Sequence, residues 1–270
     1  MSIEEARMSF LDHLQELRTR LIRVFLAIAV GFGLCIAFAE RLFKFMADPV
    51  LNLLPKGSTL ISIGLPDPFF MYLKVAFVAG IFISLPYVIW QLWLFVAPGL
   101  LDRERKYAAP SIIIATLLFY LGAAFAYFVV FPAAFKFFLG YETPWLKPLI
   151  AIREYVSLVL VLMLAFGAVF ETPVVIVFLG LLGIVDSELL TKGRRYFVVL
   201  AFIIAAILTP TPDVINQALM AVPMLFFYEI SLRILRVIER RRKLAEQRLE
   251  QDLSGMDDGD PSSEEPRRGD

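Results

Sequence analysis

The residues from Val156 to Leu182 form an apolar run that is interrupted near its middle by one carboxylate, Glu171. The run exceeds the roughly 20 residues that are needed to cross a bilayer core. An ionised acid at that depth costs at least about 2.5–3.5 kcal/mol, so an intramembrane acid usually has a function. Pro173 lacks an N–H and should bend the helix beside the acid. Glu171 is therefore a candidate functional residue, or an acid that pairs with a polar group on a neighbouring span, and it can be both.

The composition of the chain is that of a polytopic membrane protein. Hydrophobic residues make up 59% of the 270 residues, and the mean hydropathy is +0.73, far above the level of a soluble chain. The only cysteine, Cys35, excludes an intramolecular disulfide and a cysteine-rich metal site. The only histidine, His13, excludes a multi-histidine site. We expect no metal and no cofactor.

The apolar segments predict an all-α fold of six transmembrane helices in which the other spans surround the Glu171 span. The predicted spans are residues 21–39, 72–96, 111–131, 156–182, 196–208 and 214–232. The second is expected to be interrupted by Pro86 and the third to end at Pro132. The last two are short, so they must thin the bilayer or lean on neighbouring helices.

The segments outside the spans complete this organisation. An amphipathic pattern over Met8–Arg23 predicts a helix at the membrane surface before the first span, and a short interfacial helix should follow that span. Residues 1–236 would form one membrane domain. Residues 237–270 would form a cytoplasmic tail that is helical and then, from Asp252, disordered.

Lysine and arginine are concentrated on one side of the predicted membrane domain, which places both termini in the cytoplasm by the positive-inside rule. A cleaved signal peptide is the alternative for the N-terminal region, because Ala37-Phe38-Ala39 imitates a cleavage site. The leading segment is long and acidic, however, and the apolar run is too long for a signal peptide. We therefore expect an uncleaved first span.

The sequence contains no visible catalytic arrangement: no serine with a histidine partner, no H-E-x-x-H and no phosphate loop, so we do not expect an enzyme. Two acids, Glu16 and Glu104, lie among basic residues in segments that enter the membrane interface. They are either ligands for a basic partner or surface acids in local pairs. In the second case Glu16 pairs with Arg20 at i,i+4 and Glu104 pairs with an adjacent arginine, each pair contributing about 0–1 kcal/mol.

Several stretches of the chain resemble the TatC family, the large subunit of the twin-arginine protein translocase. They are FLDHLQELRTRL, FVAPGLLDRERK, FYLGAAFAYFVVFP, AFGAVFETPV and LTPTPDVINQALMAVPM. The resemblance covers Met8–Arg236 in unbroken order. One departure is TPTPD, where a shorter TPPD is common in the family; it should lengthen the last outer turn slightly.

The resemblance implies a six-helix, glove-shaped receptor in the bacterial inner membrane that exports folded proteins. Its cytoplasmic face would recognise the twin-arginine signal peptide. Small single-span partners, TatA and TatB, would dock near the last two helices. Glu171 would face the concave side within the membrane. Carried over by motif position, the signal-peptide surface comprises Glu16, Glu104, Arg18 and Phe95, and the partner-docking region comprises Asp213 and Gln217.

Carboxylates are suited to the recognition of arginines, because charge-assisted hydrogen bonds between the two groups contribute about 1.5–3 kcal/mol each. The function that follows is a signal-peptide receptor and core subunit of a translocase. The alternative is a proton- or ion-coupled secondary transporter that titrates Glu171. Such transporters usually show two related halves, and no internal repeat of that kind is visible here.

Overall fold

In the computed structural model, the chain is almost entirely helical over the residues that it describes, which are 3–51, 60–96, 108–141, 143, 145, 149–208 and 214–257. A π-helical turn, Ala126–Val130, joins α4 to α5. The all-α prediction is confirmed. The helices are α1 (Ile3–Ile36), α2 (Ala39–Leu51), α3 (Asp67–Val96), α4 (Ala108–Phe125), α5 (Phe131–Leu139), α6 (Ile152–Phe170), α7 (Thr172–Leu181), α8 (Ser187–Leu208) and α9 (Val214–Asp257).

Within the described residues, five helical segments are long and apolar enough to cross a membrane. They are His13–Ile36, Asp67–Phe95, Pro110–Leu139, Ile152–Leu181 and Gln217–Ala245. The remaining long helix, α8, carries basic residues through its first half. Only about a dozen residues, from Tyr196 onward, are continuously apolar there, fewer than the roughly 20 of a normal span. The sixth span therefore stays a prediction.

α6 lies at the centre of the bundle. It packs against α2, α3, α4, α8 and α9. Its buried side chains include Tyr155, Val159 and Phe166, of which the last two are fully inaccessible. A helix that is buried on most of its circumference belongs to a core and not to a surface. The second, third and last spans thus pack around the segment that carries Glu171, whereas the first span, α1, packs on α3.

The central span is broken at Glu171, as its sequence predicted. α6 ends at Phe170 and α7 begins at Thr172, so Glu171 is the one residue between them. Pro173 lies in the first turn of α7 and removes the ordinary helical donor to the carbonyl of Val169. The Thr172 hydroxyl donates to that carbonyl at 2.6 Å. The break is thus compensated locally.

Two other prolines do not end their helices. α3 continues through Pro86, because the Tyr120 hydroxyl donates at 2.7 Å to the carbonyl of Phe82, the group that Pro86 leaves without a helical donor. The predicted interruption at Pro86 is therefore wrong. Near Pro132 the π turn shifts the hydrogen bonds by one residue. The helical segment then continues past the predicted end of the third span to Leu139.

The connections at one end of the bundle are fastened to each other. The Ile61 amide donates to the Ile150 carbonyl at 3.0 Å, and the Ile152 amide donates to the Ile61 carbonyl at 2.8 Å. These bonds form an isolated parallel bridge between Ile61 and Ala151. The Tyr155 hydroxyl also donates to the Met46 carbonyl of α2 at 2.5 Å. The helix predicted after the first span is therefore present and tied to the core.

Both termini of the described chain are more helical than the sequence indicates. α1 is uninterrupted from Ile3 to Ile36, so the region Met8–Arg23 does not form a separate surface helix. A turn then ends the first span before the predicted boundary at Ala39. α9 is 44 residues long and reaches Asp257. The last span thus belongs to a long helix that includes residues 252–257 of the predicted disordered tail, and the rest of that tail, 258–270, lies outside the described residues.

Candidate functional site

Glu16 lies on α1 in a compact group of polar side chains and is 32% exposed. Arg20, one turn later, donates from Nε to Glu16 Oε1 at 2.9 Å, and its Nη2 contacts the same oxygen. His13, one turn earlier, places Nδ1 3.9 Å from Glu16 Oε2. The local pair that the i,i+4 spacing predicted is confirmed. The carboxylate therefore holds a guanidinium within its own helix.

α3 supplies the second wall of this group. Arg20 Nη1 donates to Gln91 Oε1 at 3.4 Å, and Gln91 is a polar side chain with only 3% of its surface exposed. The Phe95 ring stacks on His13 with centroids 4.4 Å apart and an interplanar angle of 17°. We call these five residues, His13, Glu16, Arg20, Gln91 and Phe95, the α1–α3 cluster. It forms because two helices meet, and not from one segment alone.

Two glycines set how closely α1 and α3 approach. A Cβ on Gly31 would lie 2.6 Å from the Gly80 carbonyl oxygen, and a Cβ on Gly80 would lie 2.5 Å from the Phe32 amide nitrogen. The helices are thus in backbone contact, which only glycine allows at this distance. This crossing fixes the register that brings His13 onto the ring of Phe95.

The structure brings some of the predicted site residues together. Glu16 and Phe95 both contact His13, so they share one surface. Arg18 lies nearby on α1 with an exposed side chain. Glu104 and Asp213 lie outside the described residues, and Gln217 is half-buried in the first turn of α9.

Sequence reasoning missed two members of the cluster, His13 and Gln91. His13 is three residues before Glu16, a spacing that places both on one helix face. Gln91 is a polar residue inside an apolar span, the kind of residue that packs between membrane helices. Both signals are present in the sequence, but their meeting depends on the α1–α3 crossing.

Glu171 forms a separate polar position inside the bundle. Its Oε1 is buried and has no hydrogen-bond partner among the described residues. The residue as a whole is half-buried, at the break between α6 and α7. Buried acceptors are usually paired, so an unpaired carboxylate oxygen within a membrane segment is unusual.

A second polar group, also missed from the sequence, fastens α8 to α9. Glu239 accepts a hydrogen bond from the Ser187 amide at 2.7 Å and a further one from the Ser187 hydroxyl. Arg194 and Glu229 form an ion pair with Nε and Oε1 2.8 Å apart. These contacts cap the start of α8 and hold it against α9, which is a structural task.

No group of three or more His, Cys, Asp or Glu that could hold a metal occurs among the described residues. The α1–α3 cluster combines one half-exposed carboxylate with an aromatic stack, which suits a cationic side chain, above all a guanidinium.

The chain is similar to a well-defined group of proteins. The family model described as "Sec-independent protein translocase protein (TatC)" matches residues 12–223. The protein of that name from Desulforapulum autotrophicum is 40% identical over 242 residues, covering 90% of this chain and 89% of the relative. That from Escherichia coli K12 is 40% identical over 232 residues, covering 86% and 89%.

A solved structure supports the same similarity. The crystal structure of "Twin Arginine Translocase Receptor- TatC" aligns with a TM-score of 0.75 at 39% sequence identity. The alignment covers 83% of this chain and 98% of that chain. The likeness therefore extends over almost the whole of the solved chain.

Proposed function

This chain belongs to the TatC family of Sec-independent protein translocase proteins, and we propose on that basis that its α1–α3 cluster binds the arginines of a twin-arginine signal peptide. Its function is that of a multi-pass membrane receptor and core subunit of the twin-arginine translocase. Membership of this family favours translocation over the alternative of a secondary transporter. We infer no enzymatic activity for it.

The observation that carries the site proposal is the Glu16–Arg20 contact. A half-exposed carboxylate of the receptor already accepts a guanidinium from Nε and Nη2. An incoming arginine presents the same donors, so it can take the place of Arg20. The exchange replaces one guanidinium–carboxylate contact with another of the same kind, so the peptide must overcome an i,i+4 pair worth about 0–1 kcal/mol. The other contacts of the peptide with the receptor, which Arg20 does not make, supply the net gain in binding free energy.

The remaining parts of the signal-peptide surface follow from the family resemblance. Glu104 would receive the second arginine, and Arg18 would lie at the edge of the same surface. The ring of Phe95, which stacks on His13, offers an apolar surface on which the peptide would pack near Glu16. Two carboxylates of the receptor would then match two guanidiniums of the peptide.

The partners are proposed from the same resemblance. Small single-span subunits, TatA and TatB, would dock where Asp213 and Gln217 lie, and the whole would be a hetero-oligomer in the membrane. The orphaned Oε1 of Glu171 supports a polar contact with such a span, because the described residues leave this acceptor without a donor.

We also propose that the chain resides in the bacterial inner membrane with both termini in the cytoplasm. Cysteine labelling from either side tests this, after the buried Cys35 has been replaced by serine. Cysteines at positions 1–9, 102–106 and 193–195 should label only from the cytoplasm. Cysteines at positions 40–71 and 135–155 should label from the outside. A reversed pattern at two of these regions overturns the orientation.

The binding proposal is tested by titrating purified receptor with a fluorescent twin-arginine peptide. Glu16→Ala should weaken binding by about 10- to 150-fold, since it removes charge-assisted hydrogen bonds of about 1.5–3 kcal/mol. Replacing both peptide arginines with lysines should reduce the affinity for the Glu16→Ala receptor less than the affinity for the native receptor. In the variant, the bidentate contact that lysine cannot make is already gone.

The matched control is Glu188→Ala. Glu188 also pairs with a basic residue at i,i+4, Lys192, at 2.7 Å, but it is 76% exposed and lies on α8. The Glu188→Ala variant should bind the peptide with the affinity of the native receptor. Equal losses in both variants, or strict additivity between receptor and peptide changes, would contradict direct contact at Glu16.

A further inference from the structure

We propose that a pocket between the beginnings of α3 and α6 binds the phosphate headgroup of an anionic phospholipid. The pocket lies at the end of the bundle opposite the α1–α3 cluster and is lined by Pro66, Asp67, Phe70, Met71, Lys74, Arg153 and Val156. Its volume is about 250 Å³. Sites for drug-sized ligands measure roughly 300–1,000 Å³, so this pocket suits a headgroup and not a complete ligand.

The pocket carries an excess of positive charge. Arg153 Nη1 lies 3.7 Å from Asp67 Oδ1, with the arginine side chain 67% exposed and the aspartate 10% exposed. The other carboxylate oxygen, Oδ2, accepts a hydrogen bond from the Gly64 amide at 2.8 Å. Asp67 is thus occupied by the backbone turn before α3 and balances at most one of the two cations.

Lys74 is the second cation. Its Nζ donates to Ser157 Oγ at 3.0 Å, and no carboxylate of the described chain lies within salt-bridge distance of it. A hydroxyl orients an ammonium but does not neutralise it. The ammonium is therefore held at the pocket by α6 with its charge uncompensated.

The depth of Lys74 points to the ligand. The span Asp67–Phe95 has 29 residues, which is about 43 Å at 1.5 Å per residue, against a hydrocarbon core of about 30 Å. Each end of a centred helix then projects about 7 Å beyond the core. Lys74 lies about 10 Å along the helix from Asp67, slightly inside the core boundary. Its side chain must reach outward to the level of the lipid phosphates.

The walls of the pocket select a lipid over a free anion. Beside the two cations the lining is apolar, with Phe70, Met71 and Val156. Phe69 and Phe70 are 64% and 57% exposed on the adjoining surface of α3. They lie within about 5 Å of Asp67 along the helix, at the interface where aromatic side chains contact lipids. Cations beside an interfacial apolar surface match a phosphate that belongs to a lipid. Inorganic phosphate would not use the apolar part.

The test compares two double variants in delipidated protein purified in a mild non-ionic detergent. Lys74→Gln with Arg153→Gln removes both pocket cations. Lys44→Gln with Lys136→Gln removes the same charge from exposed positions on α2 and α5, outside the pocket. Each protein is titrated with phosphatidylglycerol, phosphatidylcholine or inorganic phosphate. Thermal unfolding gives the apparent affinity, and native mass spectrometry counts the bound lipids.

Phosphatidylglycerol should stabilise the native protein and the control, whereas phosphatidylcholine and inorganic phosphate should not. The pocket variant should bind phosphatidylglycerol about 30-fold more weakly, since each basic residue near a membrane surface contributes about fivefold. Lys74→Gln alone, which keeps the Asp67–Arg153 contact, should lose about fivefold and guards against a folding defect in the double variant. Equal affinities of the pocket variant and the control overturn the proposal. An equal effect of inorganic phosphate overturns its lipid part.

Discussion

The Tyr127 hydroxyl donates a hydrogen bond of 2.5 Å to the Phe45 carbonyl, the group in α2 that Pro49 leaves without a helical donor. The same arrangement recurs at Pro86, where Tyr120 serves Phe82, and at Pro173, where Thr172 serves Val169. In water, a freed carbonyl would be solvated. In a bilayer it must find a donor from the protein, and here hydroxyls supply that donor. Hydroxyls from other helices therefore allow Pro49 and Pro86 inside their helices, whereas at Pro173 the donor is local and the helix is interrupted.

The first prediction follows from this relationship. Tyr127→Phe keeps the ring, which stacks on Phe45 with centroids 4.8 Å apart, but removes the donor. It should lower the free energy of unfolding by about 1–3 kcal/mol, the cost of leaving an acceptor unsatisfied. Thermal unfolding in detergent measures this. Tyr141→Phe, at a 65% exposed tyrosine, is the matched control and should have little effect.

A substitution of Pro49 makes that test more specific. Pro49→Ala restores an N–H that can donate to Phe45 within α2, so Tyr127→Phe should cost less in the Pro49→Ala background than in the native chain. If the two costs are equal, the Tyr127 hydroxyl does not compensate for Pro49.

A second prediction concerns the α1–α3 crossing. Gly31→Ala places a methyl group 2.6 Å from the Gly80 carbonyl oxygen, so the helices must separate. Overpacking of this kind costs about 1–3 kcal/mol, and it should also weaken peptide binding because Glu16 and Phe95 lie on different helices. Gly33→Ala on the same helix meets nothing within 4 Å and should be neutral or slightly stabilising. Equal effects of both changes on unfolding and binding would contradict the role of the crossing.

The sequence predicted those features that depend on a single segment. The break at Glu171 followed from Pro173, and the Glu16–Arg20 pair followed from i,i+4 spacing. Both are set by residues within one or two turns of each other. The central position of the Glu171 span was also predictable, because this segment is apolar on all sides.

The predictions that failed, and the features that were missed, concern contacts between segments. Pro86 does not break α3, because Tyr120 from a different helix supplies the missing donor. The His13–Phe95 stack and the Arg20–Gln91 bond require the glycine crossing, which no local pattern reveals. A sequence read segment by segment therefore predicts the helices and the Glu16–Arg20 pair, but not the contacts between α1 and α3.

A third prediction concerns Glu171, whose Oε1 is buried without a partner in the described part of the chain. Glu171→Gln keeps a polar group of the same shape and should retain most export activity. Glu171→Leu removes hydrogen-bonding capacity, and Glu171→Lys places a cation at about the same intramembrane depth, so both should reduce export more, with Lys the worst. Export of a folded reporter, normalised to receptor abundance, measures this. Native export by Glu171→Leu would show that the acid is not required.

The last prediction tests whether Arg20 competes with the peptide arginine for Glu16 or holds Glu16 in position for it. In the folded receptor Arg20 occupies Glu16 and also donates to Gln91. If a peptide arginine takes its place, Arg20→Gln removes a competitor and should strengthen peptide binding by up to about fivefold, the equivalent of a surface pair worth about 1 kcal/mol.

The control for this change is Arg23→Gln, an exposed arginine further along the same helix. It removes the same charge without touching Glu16, so any gain that both variants share reflects the general electrostatic field and not displacement. The shared part should fade as salt is raised to 1 M, where the Debye length is about 3 Å, whereas the part due to a contact persists better. Weaker binding by Arg20→Gln would show instead that Arg20 holds the Glu16 carboxylate in position for the peptide.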